Sequence, residues 1–255
     1  MSRALVVGGA NGIGLAIATL LAEREECDRV YIVDRVAVAV EYANAKFCFT
    51  QFDLMSEDFS LFDGYKDVDT LVITAGFGRL AHFADVEEGH VVASMTVNAT
   101  AVMRIIHHFY GRISGAEPFR TAVMGSIAGF MSSPLFAVYG ASKAALKIFI
   151  ESLNVELEKC GTRNRVLHVA PGAIKGTSFY NGATDLDMTR ELAQEIVLRM
   201  ERGDDLYIPR YEEVYGEVLE RYHKDFRAEG RHSYEYKMQS KRVMMQKAAL
   251  GVKFK

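Results

Sequence analysis

The sequence predicts an α/β fold: a single doubly wound domain with a mainly parallel sheet of about seven strands, followed by a helical C-terminal extension. Three observations predict it. Short β-branched runs alternate with helix-period segments over the first 210 of 255 residues. A glycine-rich turn, Gly8 to Gly14, joins the first run to the first helical pattern. No repeat, low-complexity block or Pro/Gly/Ser linker interrupts the series, and prolines occur only at Pro118, Pro134, Pro171 and Pro209. Strands that alternate with helices pair in parallel, and the helices cover both faces of the sheet.

The elements follow in order. Ala4–Val7 is a strand by its apolar run. Ile13–Glu26 is a helix, with Ile13, Ala16, Ile17, Leu20 and Leu21 on one face. Val30–Val33 is a second strand, Lys46–Phe52 a third by alternation and Thr70–Thr74 a fourth. The stretch from Arg35 to Lys46 holds at most a stub of helix. Glu88–Ile113 reads as one long helix, Thr121–Met124 as a strand and Tyr139–Lys159 as a second long helix. Arg165–Ala170 is a strand, Asp187–Arg202 a helix and Asp205–Ile208 a last strand. Residues 1–210 form the main domain, and 211–255 the helical extension packed on it.

Composition narrows the function. Hydrophobic residues make up 49% and charged residues 25%, which excludes a disordered chain or a disulfide scaffold. A formal charge of −3 offers no field for a nucleic-acid partner. Cys27, Cys48 and Cys160 are odd in number and form no CxxC pair. That argues against zinc and for a reducing, cytoplasmic setting. Ala4 to Ala22 carries no charge and follows Arg3, the outline of a targeting or membrane segment. Its four glycines and Asn11 are poor filler for an apolar core, so it reads as strand, turn and helix. No other stretch is apolar enough to span a bilayer.

Ligands of such sheets bind at the carboxyl ends of the strands. After the first strand comes Gly8-Gly9-Ala10-Asn11-Gly12-Ile13-Gly14. Glycines let the backbone turn sharply and let a pyrophosphate approach without meeting a Cβ. The helix that follows points free N–H groups at the anion. Asp34 ends the next strand, 20 residues beyond Gly14, where a carboxylate accepts from adenosine ribose hydroxyls and repels the extra phosphate of NADP. Arg35 follows directly and keeps NADP open. Tyr139-Gly140-Ala141-Ser142-Lys143 places a phenol and an ammonium at i and i+4 on one helix face. A nearby ammonium favours the phenolate, so this tyrosine is expected below its usual pKa and able to move a proton to or from an alcohol. The same spacing recurs at Tyr42 and Lys46, read as surface helix. Ser126, at a strand end 13 residues before Tyr139, separates the two, because Arg29 stands at the matching place before Tyr42.

With these residues in hand, the sequence resembles the short-chain dehydrogenase/reductase family from about residue 4 to about residue 210. Gly8, Gly12 and Gly14 meet its Gly-x-x-x-Gly-x-Gly turn, Asp53-Leu54 its adenine contact, and Ile73-Thr74-Ala75-Gly76 part of its Asn-Asn-Ala-Gly. Asn98, Ser126, Tyr139 and Lys143 look like its catalytic set. Pro171-Gly172, followed by Ile174, looks like its nicotinamide loop. The departures are Val7 for a threonine, Ile73 and Thr74 for two asparagines with loss of polar contacts, and Gly176 where a threonine is usual, with Thr177 one later.

The resemblance implies a Rossmann-type domain, NAD as cofactor and a small-molecule alcohol or ketone substrate. It implies a homotetramer or homodimer assembled through the two long helices. Tyr139 is then the general acid/base, Lys143 lowers its pKa and binds the ribose, Ser126 holds the substrate oxygen, and Asn98 positions Lys143 through a water. The expected cofactor contacts are Gly8, Asn11, Gly12, Ile13, Gly14, Asp34, Arg35, Asp53, Leu54, Ala75, Gly76, Asn98, Tyr139, Lys143, Pro171, Gly172, Ile174 and Thr177, with no metal. The alternatives are an NADP(H)-dependent carbonyl reductase and a non-catalytic dinucleotide-sensing protein.

Other residues read as structural. His107 and His108 lack a second ligand set at metal spacing. His168, within a strand, reads as a buried, satisfied histidine. Tyr211, Tyr215 and Tyr222 recur at helical spacing as packing residues. Phe179 and Tyr180 line a substrate pocket or anchor the Pro-Gly loop. The expected specificity loops, Ile127–Val138 and Ala173–Thr189, hold Phe130, Met131, Leu135 and Phe136 and no Lys or Arg cluster, which disfavours a strongly anionic substrate. Arg231, Lys237, Lys241, Arg242, Lys247, Lys253 and Lys255 give the end of the chain a basic, solvated face.

Overall fold

A computed structural model describes residues 1–177, 179 and 183–240. Seven strands form one sheet: β1 (Ser2–Val7), β2 (Cys27–Asp34), β3 (Phe47–Gln51), β4 (Thr70–Ile73), β5 (Arg120–Met124), β6 (Val166–Val169) and β7 (Leu206–Tyr207). Their order is β3-β2-β1-β4-β5-β6-β7, and every neighbouring pair is parallel. The Rossmann-type expectation holds. β4 and β6 are buried along their whole length, so they are uniformly apolar or nearly so, while the edge strand β3 is half exposed.

Side chains alternate between the two faces of the sheet. Leu5 and Val7 join a core under α3 (Ala101–Ile113) and α4 (Ala137–Lys159), with Ile105, Ile106, Leu146 and Ile150. Ala4 and Val6 join the opposite core under α1 (Gly12–Ala22) and α5 (Leu186–Arg202), with Ile17, Leu21, Ile196 and Val197. Asp185 caps α5 by accepting from the Met188 N–H at 3.1 Å, and Gly203, at φ +74°, ends the helix in the left-handed region. After β7 come α6 (Gly216–Lys224) and α7 (Phe226–Gln239), joined by the Arg221–Glu229 ion pair at 2.8 Å. Tyr180, Lys241, Arg242, Lys247, Lys253 and Lys255 lie outside the described residues. No helix among the described residues is long and apolar enough to cross a membrane.

Strand order places β1 between β2 and β4. The chain therefore winds one way from β1 through β2 to β3, then returns to wind the other way from β4. The loops at the carboxyl ends of β1 and β4 diverge and leave a crevice.

Three sequence expectations are corrected. The segment Glu88–Ile113 is not one regular helix. It is α2 (Glu88–Met95), a π turn at Thr96–Thr100, and α3. A single π turn leaves the apolar period on either side nearly intact, so periodicity hides it. Tyr42 and Lys46 do not share a helix, because one 3₁₀ turn (Val40–Tyr42) runs into β3. Their polar atoms go elsewhere: the Tyr42 hydroxyl donates to the Thr184 carbonyl at 3.1 Å and the Lys46 ammonium to the Arg24 carbonyl at 2.8 Å.

The third correction is His168. It is 1% exposed, but neither ring nitrogen has a hydrogen-bond partner among the described residues. Its ring stacks on Phe130 at 5.5 Å and lies against Gly125, where a Cβ would stand 1.9 Å from Nε2. Burial, followed by the charges of Lys143 and Lys147, pushes its pKa from 6.5 down to about 4. Between those values the unfolded chain takes up a proton that the folded chain refuses. Stability is therefore lost as pH falls from about 6.5 towards 4. Urea denaturation at pH 7 and pH 5 should show a loss of about 2 kcal/mol that the His168→Leu variant lacks. Equal losses in the two proteins would overturn this account.

Candidate active site

A cleft of about 550 Å³ opens in the crevice. The glycine turn forms its floor. A Cβ on Gly8 (φ +85°) would stand 2.4 Å from the Ala75 nitrogen, and one on Gly14 would stand 2.2 Å from the Gly8 carbonyl oxygen. Only glycine fits either place. Gly8, Asn11, Gly12, Ile13 and Gly14 all line the cleft, and α1 starts there. The Gly12 N–H donates to the Thr184 hydroxyl at 3.1 Å. Sequence reading assigns Thr74 a loss of polar contact, and this is corrected: its hydroxyl donates to the Gly8 carbonyl at 2.9 Å and ties β4 to the turn.

Asp34, Arg35, Asp53 and Leu54 line one end of the cleft, with Val36, Phe52 and Met55. The Asp34 carboxylate accepts from the Ala10 N–H at 3.0 Å and the Val36 N–H at 3.3 Å. Arg35 is exposed on the lip and forms no ion pair among the described residues. Ala75, Gly76, Pro171, Gly172, Ile174 and Thr177 line the middle and the other end. The Thr177 hydroxyl donates to the Ile174 carbonyl at 2.7 Å and so tightens the loop after Gly172.

Tyr139 and Lys143 enter the same wall from the first turns of α4. Tyr139 is 8% exposed, its ring held by Phe136 at 5.2 Å and Phe179 at 5.2 Å. Lys143 is 2% exposed, and its ammonium donates to the Met124 carbonyl at 2.8 Å. Burial pushes Tyr139 up to about 12, against a hydrogen bond with Ser126 that pulls the other way. Burial also pushes Lys143 down to about 8. The expected lowering of the tyrosine by the ammonium is therefore corrected. Here loss of water dominates both groups; the Lys143 nitrogen lies 5.8 Å from the Tyr139 ring centre.

Two predicted residues stand behind the wall rather than in the cleft. Ser126 is 7% exposed, accepts from the Ala128 N–H at 3.2 Å and bonds Tyr139. Asn98 sits in the π turn, fully buried. Its carbonyl accepts from the Phe77 N–H at 2.9 Å, and its amide donates to the Phe77 carbonyl at 2.8 Å and the Ser142 hydroxyl at 3.1 Å. It joins the loop after β4 to α4. Sequence reasoning missed Thr74, Phe77, Ala93, Val97 and Gly125, which also line the cleft or its wall. Thr74 and Gly125 follow strand ends, the signal that finds the others. Ala93 and Val97 belong to the turn of helix before and within the π turn, for which the sequence carries no signal. The hydroxyl of Tyr215, assigned to packing, lies against Gly172.

A profile of the short chain dehydrogenases matches residues 2–185. The chain belongs to the short-chain dehydrogenase/reductase family. An uncharacterized short-chain type dehydrogenase/reductase of Sinorhizobium fredii is 31% identical over 183 residues, 71% of this chain and 72% of the relative. A 3-oxoacyl-(acyl-carrier-protein) reductase of Mycobacterium avium is 30% identical over 194 residues, 75% of this chain and 71% of its own. Among solved structures, a short-chain dehydrogenase of Streptomyces avermitilis has a TM-score of 0.72 at 20% identity, covering 94% of this chain and 100% of its own. One of Burkholderia cenocepacia in complex with NADP has a TM-score of 0.70 at 20% identity, covering 86% and 96%. The family makes this chain an oxidoreductase that binds a nicotinamide dinucleotide and acts on small molecules.

The Asn98 clamp is open to a direct test. Asn98→Ala takes the side-chain partner from the half-buried N–H and carbonyl of Phe77. Chemical denaturation should show a loss of about 1–2 kcal/mol, at about 0.5–1.5 kcal/mol for each hydrogen bond removed. A loss below about 0.5 kcal/mol would mean that the amide is not a clamp.

Proposed function

We propose that the chain is an NAD(H)-dependent oxidoreductase acting on CH–OH groups. It passes a hydride between nicotinamide and a secondary alcohol or its ketone, with Tyr139 as general acid/base. The observation that carries the reading is the meeting of Tyr139 and Lys143 in one buried wall of a cleft that runs from Asp34 to Gly172, with Ser126 behind that wall and hydrogen-bonded to Tyr139.

The cleft fits a dinucleotide. The glycine turn keeps side chains away from its floor, and its Gly12 N–H already bonds a hydroxyl oxygen, so it donates to an oxygen ligand. Gly8, Asn11, Gly12, Ile13 and Gly14 hold the pyrophosphate, Asp34 the ribose hydroxyls, and Asp53 and Leu54 the adenine. Ala75, Gly76 and Lys143 hold the second ribose, and Pro171, Gly172, Ile174 and Thr177 the nicotinamide. The bound dinucleotide supplies or takes up the hydride. The protein moves the proton. With Tyr139 near 12 and Lys143 near 8, both groups are mainly protonated at neutral pH, and the phenol donates to a carbonyl oxygen that Ser126 holds. Asn98 keeps the Phe77 loop against α4. The relative named as a 3-oxoacyl reductase supports a ketone substrate. Exposed Val92, Met95, Ile148 and Val155 on α2 and α4 support a dimer or tetramer through these helices, and the free cysteines support a cytoplasmic setting.

Asp34 supports NAD over NADP. A carboxylate at about 4 Å from a phosphate opposes it by about 4 kcal/mol per unit charge pair at an effective dielectric near 20. The exposed Arg35 favours the rival reading, an NADP(H)-dependent carbonyl reductase, as do neighbours of the same fold solved with NADP or NADPH. Fluorescence titration separates the two. NADH should bind at least about tenfold more tightly than NADPH, and Asp34→Ala should erase most of the difference. Equal affinities in the unaltered protein would overturn the role of Asp34.

The acid/base assignment has its own test. Tyr139→Phe should keep its affinity for NADH and lose turnover by about 10²–10⁴-fold. Tyr42→Phe should change neither. Like behaviour of the two variants would refute the choice of Tyr139.

A further inference from the structure

The wall around Tyr139 is held from outside by the C-terminal helix. Phe136 reaches the Tyr139 ring from the turn Ser133–Phe136, which precedes α4. That turn is strained: Leu135 has φ +67°, a left-handed conformation that a branched side chain resists. The strain must be offset by contacts around it. Several lie within the main domain: the Phe136 N–H donates to the Ser133 carbonyl at 2.9 Å, the Ala81 N–H to the Leu135 carbonyl at 2.9 Å and the Gly140 N–H to the Phe136 carbonyl at 2.7 Å, and Leu135 and Phe136 are buried with Leu80 and Ala128.

The others come from α7. The Lys237 ammonium donates to the Ser133 hydroxyl at 2.7 Å and to the Pro134 carbonyl at 2.9 Å. The same nitrogen lies 5.5 Å from the centre of the Phe136 ring. One cation thus grips two consecutive residues of the strained turn and the ring that the turn presents. Two turns of helix earlier, the buried Gly230 faces Ser132 and Pro134, where an added Cβ would stand 3.4 Å and 3.9 Å from them, and between Gly230 and Lys237 Tyr234 meets His82 at 6.0 Å. A hydrogen bond from a charged donor is stronger than a neutral one, and its partners here are half-buried.

We propose that Lys237 is a positioning residue for the reacting wall: its ammonium holds the Ser133–Phe136 turn and thereby fixes Phe136 against Tyr139 and Phe179. This rests on the reading of Tyr139 as the reacting group. The helix after the main domain then shapes the apolar side of the substrate pocket and keeps water from the phenol. Its removal acts on Tyr139 and Phe179 through Phe136, at the reacting end of the cleft, and leaves the end at the glycine turn and Asp34, which Lys237 does not line, as it was.

The test needs neither substrate nor turnover. Tetranitromethane nitrates a tyrosine in proportion to its exposure as phenolate, and peptide mass spectrometry locates the product. In the unaltered chain Tyr139 should react slowly, as should Tyr65, which is equally buried but far from α7. Lys237→Met should speed nitration of Tyr139 about tenfold, leave Tyr65 unchanged and leave NADH affinity unchanged. Lys237→Arg, which keeps the charge and the donors, should restore protection. Ser133→Ala, which removes one acceptor, should act in the same direction as Lys237→Met should that variant fold poorly. Protection of Tyr139 that survives both Lys237→Met and Ser133→Ala overturns the proposal, as does a parallel rise at Tyr65. A chain that gives these nitration results but turns over no alcohol or ketone would refute the acid/base reading and leave Lys237 as the holder of the wall.

Discussion

The approach of the glycine turn to the end of β4 sets the geometry on which everything at the cleft depends. At Gly8 there is no room for even a methyl group beside Ala75, and at Gly14 none beside the Gly8 carbonyl. Each glycine costs about 0.5–1 kcal/mol of folding entropy relative to alanine. Burial of Leu15, Ile17 and Leu21 on α1 offsets this at about 1.5–3 kcal/mol per large side chain. The outcome is a helix whose first N–H groups face the crevice, a place that no looser turn would reach. Thr74 fixes the spacing from the opposite side through its bond to the Gly8 carbonyl. The same hydroxyl would stand 2.4 Å from a Cβ on Gly14, so strand, turn and helix are locked by one side chain and two absent ones.

Across the cleft the controlling term is loss of water. Unit charges about 6 Å apart attract by about 3 kcal/mol at an effective dielectric near 20, enough to lower a phenol beside an ammonium. Tyr139 nevertheless rises and Lys143 falls, because each is walled off before it meets the other. The ammonium is turned to the Met124 carbonyl, and the phenol is enclosed by Phe136, Phe179 and the backbone at Gly78. The spacing of Tyr139 and Lys143 brings the groups together, but burial decides their protonation, under the aromatic wall for Tyr139 and against the Met124 carbonyl for Lys143. That wall is assembled from three loops and steadied by α7, so the acidity of the site is a tertiary property.

This is why the sequence discloses the cleft better than the wall. Gly8, Gly12, Gly14, Asp34 and Tyr139 act within or next to single elements, and their spacing along the chain survives folding almost unchanged. The alternation of strands with helices and the buried face of α1 follow from the same local periods, whereas the order of the strands does not. The Tyr42–Lys46 helix fails because β3 takes its residues, a tertiary override of a local pattern. The orphaned nitrogens of His168 are invisible because its surroundings come from Gly125, Phe130 and α4. The π turn leaves no mark, since one extra residue in a helical turn is within the scatter of any apolar pattern. Thr74 is misread because its partner, the Gly8 carbonyl in the glycine turn, lies 66 residues away.

The polar links at this site share one character. Asn98 joins the loop after β4 to α4, Thr74 joins β4 to the glycine turn, and Lys237 joins α7 to the turn before α4. Each ties a loop or turn to another segment of the chain by a directional bond. Loops at the carboxyl ends of strands are free to vary because the sheet does not depend on them. That freedom blurs the geometry of a reacting group unless directional bonds remove it. Hydrophobic burial gives the molecule its stability but is indifferent to a displacement of half an ångström. A bidentate amide or a twice-bonded ammonium is not. Thr74 and Asn98 stand at recognisable motif positions and Lys237 does not, but in all three the bonded partner lies on another segment, and a pattern read along the chain does not name it.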